Sequence, residues 1–278
     1  MVLTYVLQLL TERGHGRRLA FKGGTALRKV VFGSVGRFSV DLDFVALDDD
    51  VTPAQEAVFD DLHNKAFHGI TFTTNRFEQS LGGSFRATVN YAHGAGANRF
   101  EVEISHRQDV VVQPTNRIAV SLPYFKRLEF EPSAVVTLHP LEMLAEKILA
   151  CHRRTPGGSA RDIYDLWQFA ARSFDNRLVT SLTSLKAWSD GVEFSAPEFL
   201  ANIQPANYNW TALEGLVGGR RGIDRGSICG RVRERYGVLA DVSELDKKVL
   251  ADAVVHRHPG VYEESAEAVR ATIRVRGL

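Results

Sequence analysis

Within the stretch FKGGTALRKVVFGSVGRFSVDLDF, Phe21 to Phe44, two features could do chemistry together. Asp41 and Asp43 stand one residue apart in an apolar run, and an extended strand turns residues i and i+2 to the same side. Val40, Leu42 and Phe44 then point into a core. Two carboxylates side by side repel unless a cation lies between them. The natural occupant is Mg²⁺, a hard ion that takes oxygen ligands and bridges carboxylates to phosphates. Two such ions in one site activate an attacking oxygen and stabilise a leaving one. Gly23 and Gly24 supply the complement. They let the backbone approach a ligand closely, and the helix beginning near Thr25 directs free N–H groups and its positive end at a phosphate. Thr25 adds a hydroxyl, and Lys22, Arg28 and Arg37 are cationic partners for a triphosphate. A glycine pair before a helix, or a D-x-D on a strand edge, is commonplace by itself. Their order, strand, glycine turn, helix, loop and acidic strand, points to a nucleotide site. The run Asp48, Asp49, Asp50 is expected to be a solvated loop.

The elements that must position these residues are legible in outline. Residues 2–12 predict a helix, RLAFK a short strand, GTALRKVVFG a helix stopping at Gly33, and VDLDFVAL a strand. PAQEAVFDDLHNKAF predicts a helix with proline in its first turn. GITFTTNRFEQS, SFRATVNYA and NRFEVEISHR alternate as strands do, with glycine-rich turns between them. From Pro140 onward the strand pattern gives way to apolar residues at three- and four-residue spacing in PLEMLAEKILACHRR, SARDIYDLWQFAARSF, RLVTSLTSLKAW and SELDKKVLADAVV. The expected architecture is α+β: a mixed-sheet domain over residues 1–135, then an all-helical domain over 136–278.

Composition narrows the remaining classes. A chain of 278 residues, 44% hydrophobic and 24% charged, fits an ordinary globular protein. A net charge of +1 supplies no global field, so any preference for nucleic acid must come from local patches. Cys151 and Cys229 lack zinc-ligand spacing and are expected as reduced thiols. The nine histidines form no H-E-x-x-H. The N-terminal MVLTYVLQLLTERG lacks a basic n-region and a cleavage site, and no run approaches the ~18 apolar residues of a membrane span, so the cytoplasm is expected.

KGGTALRK (Lys22–Lys29) followed by SVDLDF (Ser39–Phe44) resembles the nucleotidyltransferase superfamily with a polymerase-β-like fold. With EMLAEK (Glu142–Lys147) and RDIYDL (Arg161–Leu166), the chain is more narrowly similar to the AbiEii/AbiGii toxin family, which includes the mycobacterial MenT toxins. The resemblance spans residues 21–169. It implies a Mg²⁺-dependent transferase, with two ions, that takes an NTP as substrate and adds nucleotides, often pyrimidines, to the 3′ CCA end of tRNA, arresting translation. It also implies a cognate antitoxin. Carried over, Asp41 and Asp43 are metal ligands, and Lys147 contacts the nucleotide phosphates with Asp162 in the same cleft. Gly23, Gly24 and Thr25 hold phosphate, with Arg28 and Ser39 completing the nucleotide-binding set. The superfamily pattern also asks for a third carboxylate on a neighbouring strand. Glu101 and Glu103 share a strand face, and VEI favours Glu103 as the third metal ligand.

Lys147 and Asp162 fall on helical segments joined by the short loop TPGGS, a hairpin that would bring them together; a surface lysine and a first-turn aspartate are the plainer alternative. For an RNA backbone, six arginines at 220, 221, 225, 231, 233 and 235 stand against Asp224 and Glu234, and HRRTPGGSAR offers a second basic stretch. Ser39 otherwise serves as a polar loop residue, or as a phosphoacceptor whose phosphate would repel the carboxylates. Trp167, Trp188 and Trp210 are expected in packing. No DNA and no membrane partner is expected. Transfer of a nucleoside monophosphate or a phosphoryl group to a protein hydroxyl, or nucleotide binding without turnover, are the alternatives.

Overall fold

The computed structural model describes residues 1–48, 50, 52–79, 84–105, 110–218 and 223–277, the side chains of 75–79 excepted. The chain forms two compact units, Met1–Leu138 and His139–Leu278. In the first, α1 (Val2–Glu12) precedes β1 (Leu19–Lys22) and α2 (Gly23–Ala26), which widens into a π-helix over Leu27–Phe32. Then come β2 (Leu42–Ala46), α3 (Thr52–Leu62), β3 (Lys65–Phe67), β4 (Ile70–Gln79), β5 (Phe85–His93), β6 (Gly96–Ser105), β7 (Thr115–Arg117) and β8 (Val135–Thr137). Among the described residues these strands make one sheet in the order β3-β4-β5-β6-β2-β1-β8-β7. It is mixed: β2 runs parallel to β6 and β1 parallel to β8, and the other neighbours are antiparallel.

Central strands are apolar where both faces are covered. All four residues of β1 are buried, and Phe21 meets Phe44 with ring centres 5.4 Å apart. On β2 and β6, Leu42, Phe44, Val102 and Ile104 are buried, while Asp43 and Glu103 are half-buried between them.

Three local expectations are corrected. The segment predicted as a helix over 53–67 ends at Leu62, because Lys65–Phe67 pairs with Ile70–Phe72 as a hairpin edge. Val40, expected in the core, is 54% exposed. The cause lies one residue on: the Thr25 hydroxyl donates to the Asp41 carbonyl at 2.5 Å, so the ladder begins only at Leu42 and Val40 stays in the loop.

The second unit contains α4 (Pro140–Arg154), β9 (Gly158–Ser159), α5 (Ala160–Phe169), α6 (Asn176–Asp190), α7 (Ala196–Asn202), β10 (Tyr208–Asn209), α8 (Thr211–Glu214), α9 (Arg225–Tyr236), α10 (Glu244–Asp252) and α11 (Pro259–Arg276). The third correction falls here: the unit is helical but for β9 and β10, which pair in parallel where TPGGS meets the segment before Trp210. No described helix is long and apolar enough to cross a membrane. Its helices pack around a buried ion pair. Lys186 Nζ on α6 lies 2.5 Å from Glu142 Oε2 on α4, both side chains at most 1% exposed, with Glu146 at 3.8 Å.

A buried charge that loses its partner is far costlier than the pair is worth. Lys186→Ala is therefore expected to destabilise the protein by about 3–5 kcal/mol, seen as a lower midpoint in urea unfolding. Replacing the pair together, Lys186→Met with Glu142→Leu, should recover most of that loss. A single variant unfolding at the wild-type midpoint would remove the pair from a stabilising role.

Candidate active site

The glycine turn and the acidic strand meet at one place. Gly23 has φ +76, in the left-handed region, and a side-chain carbon there would lie 2.7 Å from Asp43 Cγ. At Gly24 the same carbon would lie 2.5 Å from Arg37 Nη2 and 3.2 Å from Ser39 Oγ. A carboxylate, a guanidinium and a hydroxyl thus close directly on backbone, which only glycine permits. The register explains the approach, since Lys22 at the end of β1 pairs with Asp43 on β2. Both Lys22 and Arg37 are buried, at 8% and 5% exposed.

On the other side of β2, Asp43 is aligned with Glu103 of β6. Aligned residues on neighbouring strands face the same way about 4.8 Å apart, so the two carboxylates share a surface. Glu103 Oε2 accepts a hydrogen bond from Arg86 of β5 at 2.8 Å, an exposed pair of little stabilising weight. Glu101 is exposed and pairs in register with Thr88. Asp41 lies just before β2, its backbone fixed by Thr25. Arg28 donates to the Gly36 carbonyl and lies 4.1 Å from the centre of the Phe38 ring. The structure thus gathers Gly23, Gly24, Thr25, Arg28, Ser39, Asp43 and Glu103 around the junction of β1, α2, β2 and β6.

Among the described residues no three His, Cys, Asp or Glu side chains converge closely enough to hold a metal ion. The donor set still suits a hard divalent cation, because Asp41, Asp43 and Glu103 offer only carboxylate oxygens. Beside them the Arg37 guanidinium and the Ser39 hydroxyl close on the Gly24 backbone, groups that suit an anion such as a phosphate.

In the helical unit, Lys147 Nζ donates to Asp162 Oδ1 at 2.8 Å and lies 3.1 Å from Asp165 Oδ2. Arg154 holds the other oxygen of Asp162, Oδ2, at 2.8 Å. Ser159 caps α5, which sets Asp162 in its first turn where the helix dipole favours an anion. Burial by itself would raise the Asp162 carboxyl, but Lys147 and then Arg154 outweigh it and hold the group at about 2. Asp165 is a functional neighbour that its spacing of three from Asp162 could have revealed, since both then lie on one helix face.

Lys29 is a further group that sequence reasoning missed. It is 6% exposed and donates to Thr4 Oγ1 at 2.6 Å and Tyr124 Oη at 2.9 Å. Burial, and then Arg28 beside it, lower its ammonium to about 8. Of the arginine stretch, Arg220 and Arg221 lie outside the described residues, as does Asp49. Arg231 and Arg233 are exposed on α9, whereas Arg225 pairs with Glu214 and Arg235 stacks 3.7 Å over Phe174. In the second basic stretch, Arg153 pairs with Asp190 at 2.6 Å.

The profile of the nucleotidyl transferase AbiEii toxin family, type IV toxin–antitoxin system, matches residues 6–212. Among solved structures the chain is similar to MenT4, a nucleotidyltransferase toxin from Mycobacterium tuberculosis H37Rv. The two share 28% identity and a TM-score of 0.82, covering 96% of this chain and 91% of that one. A putative nucleotidyltransferase from Helicobacter pylori shares the fold at 17% identity and a TM-score of 0.50, over 91% of this chain and 95% of that one. No curated protein sequence matches the chain.

Two outcomes follow from this geometry. Gly23→Ala should cost about 1–3 kcal/mol more in unfolding free energy than Gly14→Ala, the cost of forcing an added methyl against packed neighbours. Gly14 has a similar φ of +79 but open space around it, so equal losses at the two positions would rule out close packing against Asp43. Asp162 is ionised more readily in the folded chain than the usual carboxylate, so its contribution is full above about pH 4 and vanishes as pH falls through about 2. The difference in stability between the wild type and Asp162→Asn should therefore shrink by about 2 kcal/mol over that interval; a difference independent of pH there would contradict the ion pair.

Proposed function

The chain belongs to the AbiEii nucleotidyltransferase toxin family of type IV toxin–antitoxin systems, and from that membership we propose that it transfers a nucleoside monophosphate from an NTP to the 3′ CCA end of tRNA. The observation that carries the reading is the contact of the Gly23 backbone with the Asp43 carboxylate, which is itself aligned with Glu103. Groups suited to phosphate and groups suited to Mg²⁺ abut there, as nucleotidyl transfer requires.

Asp41, Asp43 and Glu103 are the residues that would hold Mg²⁺. When bound, the metal neutralises the triphosphate and lowers the pKa of the attacking hydroxyl. The amides of Gly23 and Gly24, at the start of a helical stretch, orient the phosphates. Arg28 and Arg37 add positive charge, and Thr25 fixes Asp41 through its carbonyl. The 3′-oxygen of the acceptor bonds to the α-phosphorus, and its proton passes to Asp41 or Asp43. The bond from that phosphorus to the bridging oxygen breaks, and pyrophosphate leaves. In the helical unit, Lys147, oriented by Asp162, is on this reading a phosphate-binding lysine. A cognate antitoxin is the protein partner that the family implies, and the cytoplasm is where tRNA and that antitoxin are met.

Asp41→Ala is expected to abolish transfer of label from α-labelled NTP to tRNA, with the circular dichroism spectrum and melting temperature of the wild type retained. Transfer at the wild-type rate by this variant would end the mechanism. Label moving from γ-labelled NTP instead would end the assignment of the group transferred.

A further inference from the structure

The loop that carries Ser39 to the acidic strand holds an aromatic ring in water. Phe38 is 52% exposed, between buried Arg37 and half-buried Ser39. The segment alternates: Arg37 and Ser39 turn toward Gly24, and Phe38 and Val40 turn out. A lone exposed aliphatic needs no explanation, but a ring half in solvent beside a candidate catalytic strand forgoes about half of the ~1.5–3 kcal/mol that full burial would give. Nor is the ring loose. The guanidinium of Arg28 lies 4.1 Å from its centre, and Arg28 is itself tied to the Gly36 carbonyl in the same loop. Among the described residues no other ring lies against Phe38. One face is therefore backed by a fixed cation, and the exposed half offers a flat apolar surface.

We propose that Phe38 is a stacking platform for a nucleobase, with Arg28 as its rigid backing. The inference rests on the reading of the chain as a nucleotidyltransferase and deepens it. Nucleobases are recognised outside duplexes by stacking on aromatic rings and guanidinium planes. The three residues from Phe38 to Asp41 span at most about 10 Å of chain, so a base on this ring belongs to a nucleotide at or next to the reacting one. The base can come from the NTP or from the acceptor strand, and stacking is tolerant of base identity because each base has a π-face. Val35 and Val40, also exposed, lie on the same loop.

The test uses binding, so that it stands apart from turnover. In the full chain carrying Asp43→Asn, Phe38→Trp should show fluorescence quenching on titration with a short single-stranded RNA or with an NTP alone. The titrant that quenches identifies the source of the base. Trp167, Trp188 and Trp210 remain as a background measured in the parent chain. Phe38→Ala should weaken binding of that same titrant by about 5- to 150-fold, Phe38→Tyr should bind as the wild type does, and Phe38→Leu should fail to restore it. Recovery by leucine would mean a merely apolar contact, such as a protein partner's, and would overturn stacking; so would wild-type affinity in Phe38→Ala. If Phe38→Ala loses affinity while the wild type transfers no label from any NTP, the platform stands and the transferase reading falls.

Discussion

A carboxylate lies where any side chain on residue 23 would have to be, and the mixed-sheet unit is organised around that approach. Asp43 can come so close because Gly23 has no Cβ and takes a positive φ. The antiparallel pairing of β1 with β2 sets Lys22 opposite Asp43, so the turn leaving β1 falls against the acidic side chain. The parallel pairing of β2 with β6 then puts Glu103 alongside it. The register of one central strand thereby fixes both a backbone suited to phosphate and a pair of acids that repel. Repulsion of that kind is tolerated where a cation resolves it, and Lys22, Arg28 and Arg37 supply positive charge at the edge of the site before any metal is considered.

Much of this was legible because it depends on local chemistry. Glycine pairs, a D-x-D run and alternating apolar residues are statements about neighbours along the chain, and the sheet, the helical second unit and the meeting of Lys147 with Asp162 agree with them. Failures arose where a contact distant in sequence decided the outcome. Val40 leaves the core because Thr25, fifteen residues earlier, takes the Asp41 carbonyl. The Lys65–Phe67 segment continues a helical pattern yet pairs as a strand, because the turn after it folds it onto Ile70. Glu142, a charged residue in the EMLAEK motif, is fully buried because Lys186, on a different helix, reaches it. Propensity weighs tenths of a kilocalorie per residue, and such partners outweigh it.

Charge burial also separates two kinds of lysine in this chain. Lys186 and Lys147 meet carboxylates, while Lys29 is surrounded by hydroxyls, with Arg28 as a charged neighbour. The difference is physical. A carboxylate partner keeps a lysine charged and fixed, whereas Lys29 has its ammonium lowered to about 8 and ties α1, the π-helix and the Tyr124 segment by hydrogen bonds. Motif spacing alone would have ranked Lys29, in KGGTALRK, with the site; its contacts assign it to the scaffold that holds Arg28 beside the loop.

The Lys147 cluster carries a constraint of its own. Asp162 and Asp165 bring two negative charges, Lys147 and Arg154 two positive ones, so the group is balanced and mostly buried. A balanced lysine is a weak long-range attractor of phosphate, and what the arrangement supplies is direction: the ammonium is held by two acids of one helix face and cannot sweep. Arg154 is more than half exposed while it grips a buried oxygen of Asp162, so it is the member that can move at least cost. Departure of Arg154 would leave the cluster one negative charge in excess and hold Lys147 more firmly. A fixed lysine and a more exposed arginine thus share one aspartate, and the exposed one is the partner that can leave without stranding the buried charge.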